Sequence, residues 1–191
     1  MIENSLPSAI NSTEQPYQVA LILRAHVLQK PKTWVLAHPE THLTPDQKAH
    51  LDQLVSRLQE GEPLPYLTGK QAFYGLDFAV SPAVLIPRPE TELLVELALE
   101  RLSVARSLNI VDLGTGSGAI AVALASERPK ACCIATDASP AALVVAQRNA
   151  QRLNLTNIAF REGDWCAPLV GERFDLIVAN PPYIAAADSH W

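Results

Sequence analysis

The sequence predicts an α/β fold, in which a parallel sheet with helices on both faces is preceded by a small helical domain and a β-hairpin. Two observations predict the sheet. From Leu108 onward, short apolar runs alternate with segments of helical spacing, and such alternation is typical of parallel sheets. Three alternating glycines follow the first run, and polar or aromatic side chains follow the later runs. A third observation, the helical spacing before residue 66, predicts the N-terminal domain.

The first 65 residues are expected to form this helical domain. The apolar side chains of Tyr17–Gln29 recur on one face, as in an amphipathic helix, and Thr33–Ala37 predicts a short second helix. Thr44, Pro45 and Gln47 combine a capping box with a proline in the first turn, which predicts the start of a third helix. Nothing in this domain resembles a catalytic site.

Residues 66–87 are expected to form a β-hairpin linker to a third region, residues 88–191. Ala72–Val80 predicts two short strands joined by a glycine turn. Pro89 and Glu90 suit the first turn of a helix, because proline fits the first helical position and acidic side chains favour the positive end of the helix dipole.

Composition and charge exclude several classes of protein. Apolar residues make up 48% of the 191 residues, which is enough for a core. A net charge of −5 provides no broad positive field for phosphates, so direct binding of nucleic acid is not expected. The N-terminus lacks a signal-peptide pattern, and no run reaches the roughly 18 apolar residues of a membrane span. Cys132, Cys133 and Cys166 lack metal-ligand spacing, so we expect no metal and a reducing cytoplasm.

The first strand of the sheet, Leu108–Val111, leads into Asp112 and three alternating glycines. Glycines permit positive φ and leave bare main chain for a ligand. The spacing differs from the Gly-x-Gly-x-x-Gly of pyrophosphate binders, and the Lys-Ser/Thr of a P-loop is absent. An acidic residue before the glycines suits a ligand with a cationic amino group, such as S-adenosylmethionine. The loop residues expected to hold it are Gly114, Thr115, Gly116, Ser117 and Gly118.

Side chains at the ends of the next two strands are expected at the same edge, because ligands bind at the carboxyl ends of strands in such sheets. Asp137 can accept hydrogen bonds from both hydroxyls of a ribose; the alternative is a capping role beside Ser139. Asp164 can accept from an adenine amino group, and Trp165 can stack on or flank the adenine ring. For Trp165, simple packing is the alternative.

The tetrapeptide Asn180-Pro181-Pro182-Tyr183 ends the fourth strand, Phe174–Ala179. A planar amide or aryl-amine nitrogen is a poor nucleophile, because its lone pair is delocalised, and it must be held in line. Asn180 can accept one N–H and the Pro181 carbonyl the other, while Pro182 fixes the backbone and Tyr183 supplies a flat wall. The pattern predicts methyl transfer to nitrogen with Asn180, Pro181 and Tyr183 as catalytic residues, although Asn-Pro-Pro also makes a good turn.

Asp112–Gly118 and Asn180–Tyr183 together resemble class I S-adenosylmethionine-dependent methyltransferases that act on planar nitrogen. The helical domain, the hairpin and Leu85–Glu92 narrow the resemblance to the HemK/PrmC family, the glutamine methyltransferases of peptide-chain release factors. It implies a Rossmann-like sheet with S-adenosylmethionine beside the glycine loop and Asn180. It also implies that Asn180–Tyr183 bind the glutamine of the Gly-Gly-Gln motif in class I release factors. Arg88 and Glu90 would help to shape the active-site wall. The N-terminal helices would dock the release factor.

The sheet of this family continues beyond the Asn-Pro-Pro-Tyr strand, whereas this chain stops at Trp191. We therefore expect a C-terminally truncated member with an incomplete sheet, and with Phe174–Ala179 as an apolar edge strand. Poor stability and reduced or absent activity are expected for the same reason. The chain is expected to be a cytoplasmic monomer.

Three other functions fit parts of the pattern. An adenine-specific DNA methyltransferase uses the same Asn-Pro-Pro-Tyr logic on a flipped base, but the acidic charge disfavours it. A truncated protein that binds the cofactor or a release factor without catalysis is a second alternative. A dinucleotide oxidoreductase is a third, and the glycine spacing disfavours it.

Overall fold

The computed structural model describes residues 16–104 and 106–181. The chain divides into two compact units, Met1–Gly69 and Lys70–Trp191. The first unit is helical, and the second contains a hairpin, a parallel sheet and further helices. The predicted α/β architecture with a helical N-terminal region is confirmed.

Four helices form the described part of the first unit: α1 (Pro16–Leu28), α2 (Lys32–Ala37), α3 (Pro45–Gln59) and α4 (Leu64–Thr68). The capping box at α3 is present, because the Thr44 hydroxyl accepts from the Gln47 N–H at 3.2 Å and the Gln47 side chain accepts from the Thr44 N–H at 3.0 Å. Leu23 and Leu54 are fully buried between these helices. The sequence did not predict α4, since five residues are too few to show helical spacing.

The predicted hairpin pairs β1 (Lys70–Phe73) with β2 (Leu76–Ala79) in an antiparallel ladder. Its two turn residues, Tyr74 and Gly75, both have positive φ, +51° and +70°, which matches the twist of a tight two-residue hairpin. The rings of Phe73 and Phe78 meet edge to face, with centroids 5.9 Å apart, and both side chains are buried. The hairpin lies within the second unit.

Four parallel strands form the sheet in the order β5-β4-β3-β6. Their bounds are β3 (Asn109–Leu113), β4 (Cys132–Asp137), β5 (Ile158–Glu162) and β6 (Leu176–Ala179). The described part of the same unit contains three α-helices: α5 (Glu92–Arg101), which follows a 3-10 turn at Pro89–Thr91, α6 (Ala119–Glu127) and α7 (Pro140–Arg152). Strands, glycine turn and helices therefore follow one another as predicted.

Within residues 70–104 and 106–181, the part of the second unit that the structure describes, the prediction of helices on both faces of the sheet is wrong. Helices α5, α6 and α7 pack side by side on one face, over a core that includes Ile110, Cys133 and Val178. The other face carries only a short 3-10 turn, whose Leu169 covers Val111. The connection from β5 to β6 contains a proline and glycines, which break helices, and it forms no α-helix.

Candidate active site

The two predicted halves of the site lie at the ends of neighbouring strands. Strands β3 and β6 are parallel, and their register places Leu113 beside Ala179. The glycine loop begins directly after Leu113, and Asn180 follows Ala179. Because neighbouring strands lie about 4.8 Å apart, the two segments leave the sheet side by side. The strand order also reverses here, and such a switch point is where open α/β sheets bind ligands.

The three glycines of the loop have φ of +69° at Gly114, +56° at Gly116 and +81° at Gly118. Other residues rarely adopt this conformation. A Cβ at Gly114 or Gly116 would have no atom within 4 Å, whereas a Cβ at Gly118 would lie 3.0 Å from the Ala146 Cβ of α7. The loop therefore packs on α7 at its last glycine and presents bare main chain to open space at the first two.

Asp112 lies beneath this loop and is 1% exposed. Its Oδ2 accepts a 2.6 Å hydrogen bond from the Thr115 hydroxyl, while its buried Oδ1 has no partner in the described part of the chain. Burial raises the pKa of Asp112 to about 7, although the hydroxyl and the Ala121 N–H of α6 lower it. A buried carboxylate oxygen without a hydrogen-bond partner is unfavourable. A positively charged ligand group that donates a hydrogen bond near the loop would therefore stabilise the ionised form of Asp112.

Asp137, at the tip of β4, joins the glycine loop to the start of α7. Its Oδ2 accepts from the Gly116 N–H at 2.8 Å and its Oδ1 from the Ser139 N–H at 2.9 Å. The contact with Ser139 is the one that the capping alternative predicts. Since each carboxylate oxygen keeps a second lone pair, hydrogen bonding to a ribose stays a prediction.

Asp164 and Trp165 follow β5 at the same edge, and both are exposed. Trp165 is 54% exposed and has φ of +46°, an unusual conformation for a bulky residue. Gly163 is required beside them, because a Cβ there would lie 2.8 Å from the Pro168 ring. Packing alone does not account for a tryptophan so exposed, but its role toward adenine stays a prediction.

Asn180, at the tip of β6, is half-buried and is held by a residue far away in the sequence. Its Nδ2 donates a 3.1 Å hydrogen bond to the Thr91 hydroxyl oxygen. Its Oδ1 has no hydrogen-bond partner within residues 16–104 and 106–181. Pro181 is exposed, and Pro182 and Tyr183 lie outside the described residues, so their predicted roles stay untested.

The segment that contains Arg88 and Glu90 contacts the site through Thr91, whose hydroxyl accepts from Asn180. The side chains of Arg88 and Glu90 are both exposed, and within the described ranges neither makes a hydrogen bond or an ion pair. The contact comes from Thr91, and Glu92 fixes the segment by accepting the Tyr74 N–H of the hairpin at 2.8 Å. Sequence analysis missed Thr91, although a hydroxyl directly before a predicted helix was a usable signal.

Asn149 of α7 is a second residue that sequence analysis missed. It is 2% exposed, and its Oδ1 accepts from the Ala79 N–H at 2.7 Å. Its Nδ2 donates to the Ala79 carbonyl at 3.0 Å and to the Ser117 carbonyl at 2.9 Å. One side chain thus connects the hairpin, α7 and the glycine loop. Its position in the buried stripe with Ala142 and Ala146 was the available signal.

The described residues show neither a metal site nor a membrane-spanning helix. Within residues 16–104 and 106–181, no group of His, Cys, Asp and Glu side chains could hold a metal ion. No helix of those ranges is long and apolar enough to cross a membrane. Cys132 and Cys166 are exposed, while Cys133 is buried, and burial raises its pKa to about 12.

Comparison with known proteins identifies the family to which this chain is related. A model of the methyltransferase small domain matches residues 90–190, and a model of the PrmC N-terminal domain matches residues 7–69. The release factor glutamine methyltransferase of Aliivibrio fischeri is 40% identical over 192 residues, which cover 100% of this chain and 67% of that protein. The chain belongs to the release factor glutamine methyltransferase family.

Other members of the release factor glutamine methyltransferase family are more similar in sequence. The protein of Escherichia coli K12 is 50% identical over 183 residues, which cover 96% of this chain and 66% of that protein. The protein of Xylella fastidiosa 9a5c is 49% identical over 185 residues, with 97% and 66% covered. This chain therefore spans just under two thirds of the length of these relatives.

Solved structures support the fold of this family member. The T. thermophilus 16S rRNA N2 G1207 methyltransferase, solved with AdoMet and guanosine, is 27% identical with a TM-score of 0.52. The similarity covers 61% of this chain and 33% of that one. An Agrobacterium tumefaciens SAM-dependent methyltransferase is 21% identical with a TM-score of 0.50, over 59% and 39% of the two chains, and shows the same fold.

Proposed function

We propose that this chain carries the cofactor site and the acceptor site of an S-adenosylmethionine-dependent protein-glutamine N-methyltransferase. Its substrate is the glutamine side chain of the Gly-Gly-Gln motif in class I peptide-chain release factors. The observation that carries the proposal is the register of β3 and β6, which starts the glycine loop and Asn180 side by side. Membership in the family supports the choice of substrate, since the relatives are named for it.

The glycine loop and the side chains around it fit S-adenosylmethionine in four respects. Bare main chain at Gly114 and Gly116 borders open space, so a ligand can lie against it. The unpaired Oδ1 of Asp112 favours a positive group nearby. Trp165 offers an exposed aromatic face, and Asp137 keeps acceptor capacity for hydroxyls. These residues, with Thr115, Ser117, Gly118, Asp164 and Asn180, would hold the cofactor.

S-adenosylmethionine, when bound, supplies a methyl group as an electrophile, and its sulfur keeps the electron pair of the broken bond. Asn180 Oδ1 accepts one N–H of the substrate amide, and the Pro181 carbonyl accepts the other. These two contacts hold the nitrogen in line, and positioning of this kind supplies several kcal/mol of the barrier. The nitrogen gains a carbon–nitrogen bond and then releases one proton to solvent, so no strongly basic side chain is required.

The remaining residues of the site would serve the substrate. Pro182 would fix the backbone and Tyr183 would supply a flat wall beside the glutamine, while Arg88 and Glu90, both exposed, would help to shape the active-site wall. The N-terminal helices would dock the release factor. In this proposal the protein acts as a cytoplasmic monomer on a protein substrate and contacts neither nucleic acid nor membrane directly.

Methyl transfer tests the proposal directly. The chain is incubated with isotope-labelled S-adenosylmethionine and a class I release factor, and the Gly-Gly-Gln peptide is then analysed by mass spectrometry. Because the chain spans just under two thirds of the length of its relatives, we expect slow transfer, measured with the chain in excess over the release factor. One labelled methyl group should appear on the glutamine and none on a release factor whose glutamine is replaced by alanine. Asn180→Ala is expected to abolish transfer and to weaken cofactor binding, measured by calorimetry, only in part, because Asn180 is one of several residues that would hold the cofactor.

Two results would contradict the proposal. Label that enters adenine of added DNA, with none on the release factor, would indicate the DNA methyltransferase alternative. Cofactor binding without transfer to any substrate would indicate a binding protein that does not catalyse the reaction.

A further inference from the structure

Thr91 occupies an unusual position at the start of α5. Threonine is a favoured residue at the helix N-cap, where its hydroxyl accepts a backbone N–H of the first turn. Thr91, however, ends the 3-10 turn Pro89–Thr91 and already has helical backbone angles (φ −71°, ψ −18°), so its side chain makes no capping hydrogen bond to α5. The hydroxyl instead accepts from Asn180 Nδ2 at 3.1 Å, across 89 positions of sequence.

The backbone around Thr91 is fixed from two sides. Its own N–H donates to the Arg88 carbonyl at 3.0 Å, which closes the 3-10 turn. The next residue, Glu92, accepts the Tyr74 N–H of the hairpin at 2.8 Å. Prolines at positions 87 and 89 restrict the same turn. The hydroxyl is therefore presented by a braced segment, which is what a side chain needs in order to orient another.

The orientation of Asn180 matters because its amide has two chemically different ends. The oxygen only accepts and the nitrogen only donates, and the two lie on opposite sides of the planar group. With Nδ2 engaged by Thr91, Oδ1 is the end left for another partner. A site that presents an acceptor suits a substrate that donates N–H, which a primary amide does and a carboxylate does not.

We propose that Thr91 is a positioning residue that orients Asn180, so that Oδ1 receives an N–H of the primary-amide substrate. This inference rests on the proposed function. Thr91, the threonine of the segment Pro87–Glu92, would thereby favour glutamine over glutamate as the substrate. Glutamate differs from glutamine only in having a carboxylate in place of the amide. The opposite arrangement, with the hydroxyl donating to Oδ1, would present the amide NH₂ and favour glutamate.

The test compares Thr91→Val, which keeps the side-chain shape and removes the hydroxyl, with Thr91→Ser, which keeps the hydroxyl. Thr156→Val is the matched control, because Thr156 is exposed and precedes β5 at the opposite edge of the sheet. Transfer is measured with Gly-Gly-Gln peptide, and binding of a Gly-Gly-Glu peptide is measured by competition. Cofactor affinity is measured by calorimetry for each variant.

Thr91→Val is expected to lower kcat by about 10- to 100-fold, since misplacing a reacting group by about 1 Å costs about 100-fold. Cofactor affinity is expected to stay within about twofold, because the lost contact acts on the acceptor. The preference for the glutamine peptide should shrink as well, while Thr91→Ser and Thr156→Val behave as the wild type. Unchanged kcat in Thr91→Val, equal losses in the valine and serine variants, or a parallel loss of cofactor affinity would each overturn the inference.

A second measurement does not depend on turnover. The side-chain amide protons of Asn180 are identified by ¹⁵N NMR from their loss in Asn180→Asp. We expect them to exchange with solvent more slowly in the wild type and in Thr91→Ser than in Thr91→Val. Equal exchange rates would overturn the Thr91 contact. A wild-type protein that shows slow exchange but methylates no glutamine peptide would instead contradict only the proposed function.

Discussion

Single side chains hold the candidate site together by contacts between segments that are far apart in sequence. Asn149 links Ala79 to Ser117, and Thr91 links the start of α5 to Asn180. Asn149 belongs to no motif, and Thr91 lies in the segment Leu85–Glu92 that narrows the family resemblance. Neither position indicates its distant partner, so the sequence alone did not reveal either contact. Asp112, in contrast, was found from the glycine motif, and only its burial was new.

Asn149→Ala is expected to destabilise the protein by about 2–4 kcal/mol, because it leaves the buried Ala79 N–H without its partner and removes two further hydrogen bonds. Cofactor affinity should fall as well, since the Ser117 carbonyl of the glycine loop loses its donor. Urea unfolding and calorimetry measure the two effects. Gln151→Ala, an exposed change on the same helix, serves as the control, and equal behaviour of the two variants would contradict the linking role.

Asp112 gives the protein a pH-dependent stability. Its pKa of about 7 in the folded state lies above the ordinary value of about 3.9 for an aspartate. The folded state therefore binds the proton more tightly than the unfolded state does. The stability contributed by the protonated group is fully present below about pH 4 and is lost as the pH rises through about 7.

Asp112→Asn is expected to remove this dependence. The free energy of unfolding of the wild type, relative to that of the variant, should fall by roughly 1–3 kcal/mol between about pH 5 and pH 8. Chemical denaturation at both pH values measures the difference. The exposed Asp77→Asn should follow the wild type, and a parallel pH response of Asp112→Asn would refute the assignment.

Among the secondary structure elements, those with local signals were predicted well. The capping box at Thr44, the hairpin turn at Gly75 and the strand that ends near Asp112 are all present, because each depends on residues close in sequence. Helix α4 is too short to show periodicity. The uneven distribution of helices on the sheet was missed, since helical patterns do not indicate which face of the sheet each helix covers.

The glycine loop allows backbone strain to be separated from ligand contact. Gly116 and Gly61 both have positive φ, +56° and +94°, and a Cβ at either meets no atom within 4 Å. Alanine at both positions should therefore cost a similar, small amount of stability, about 1 kcal/mol. Only Gly116→Ala is expected to weaken S-adenosylmethionine binding strongly, as measured by calorimetry. Equal cofactor affinities of the two variants would contradict the placement of the ligand against this loop.

For the whole molecule, the decisive feature is the order of the strands. The sequence indicates that both the glycine loop and Asn180 follow strands, and parallel strands place both at one edge. Their adjacency was implied only by family resemblance, because strand order is not encoded by local spacing. The structure shows this adjacency directly, because Leu113 of β3 lies beside Ala179 of β6 in the parallel register. The proposed donor and acceptor sites therefore start side by side at one edge of the sheet.

One binding measurement tests this adjacency without requiring turnover. A bisubstrate ligand joins a Gly-Gly-Gln peptide, through its glutamine nitrogen, to the position of the transferred methyl group on an S-adenosylmethionine analogue. Linking two ligands that occupy adjacent sites raises affinity by about 10²-fold or more. Calorimetry should therefore show the wild type binding the bisubstrate about 100-fold more tightly than the cofactor portion alone, and Asn180→Ala losing most of that gain. Equal affinity of the wild type for the bisubstrate and for the cofactor portion would contradict a shared site at the ends of β3 and β6.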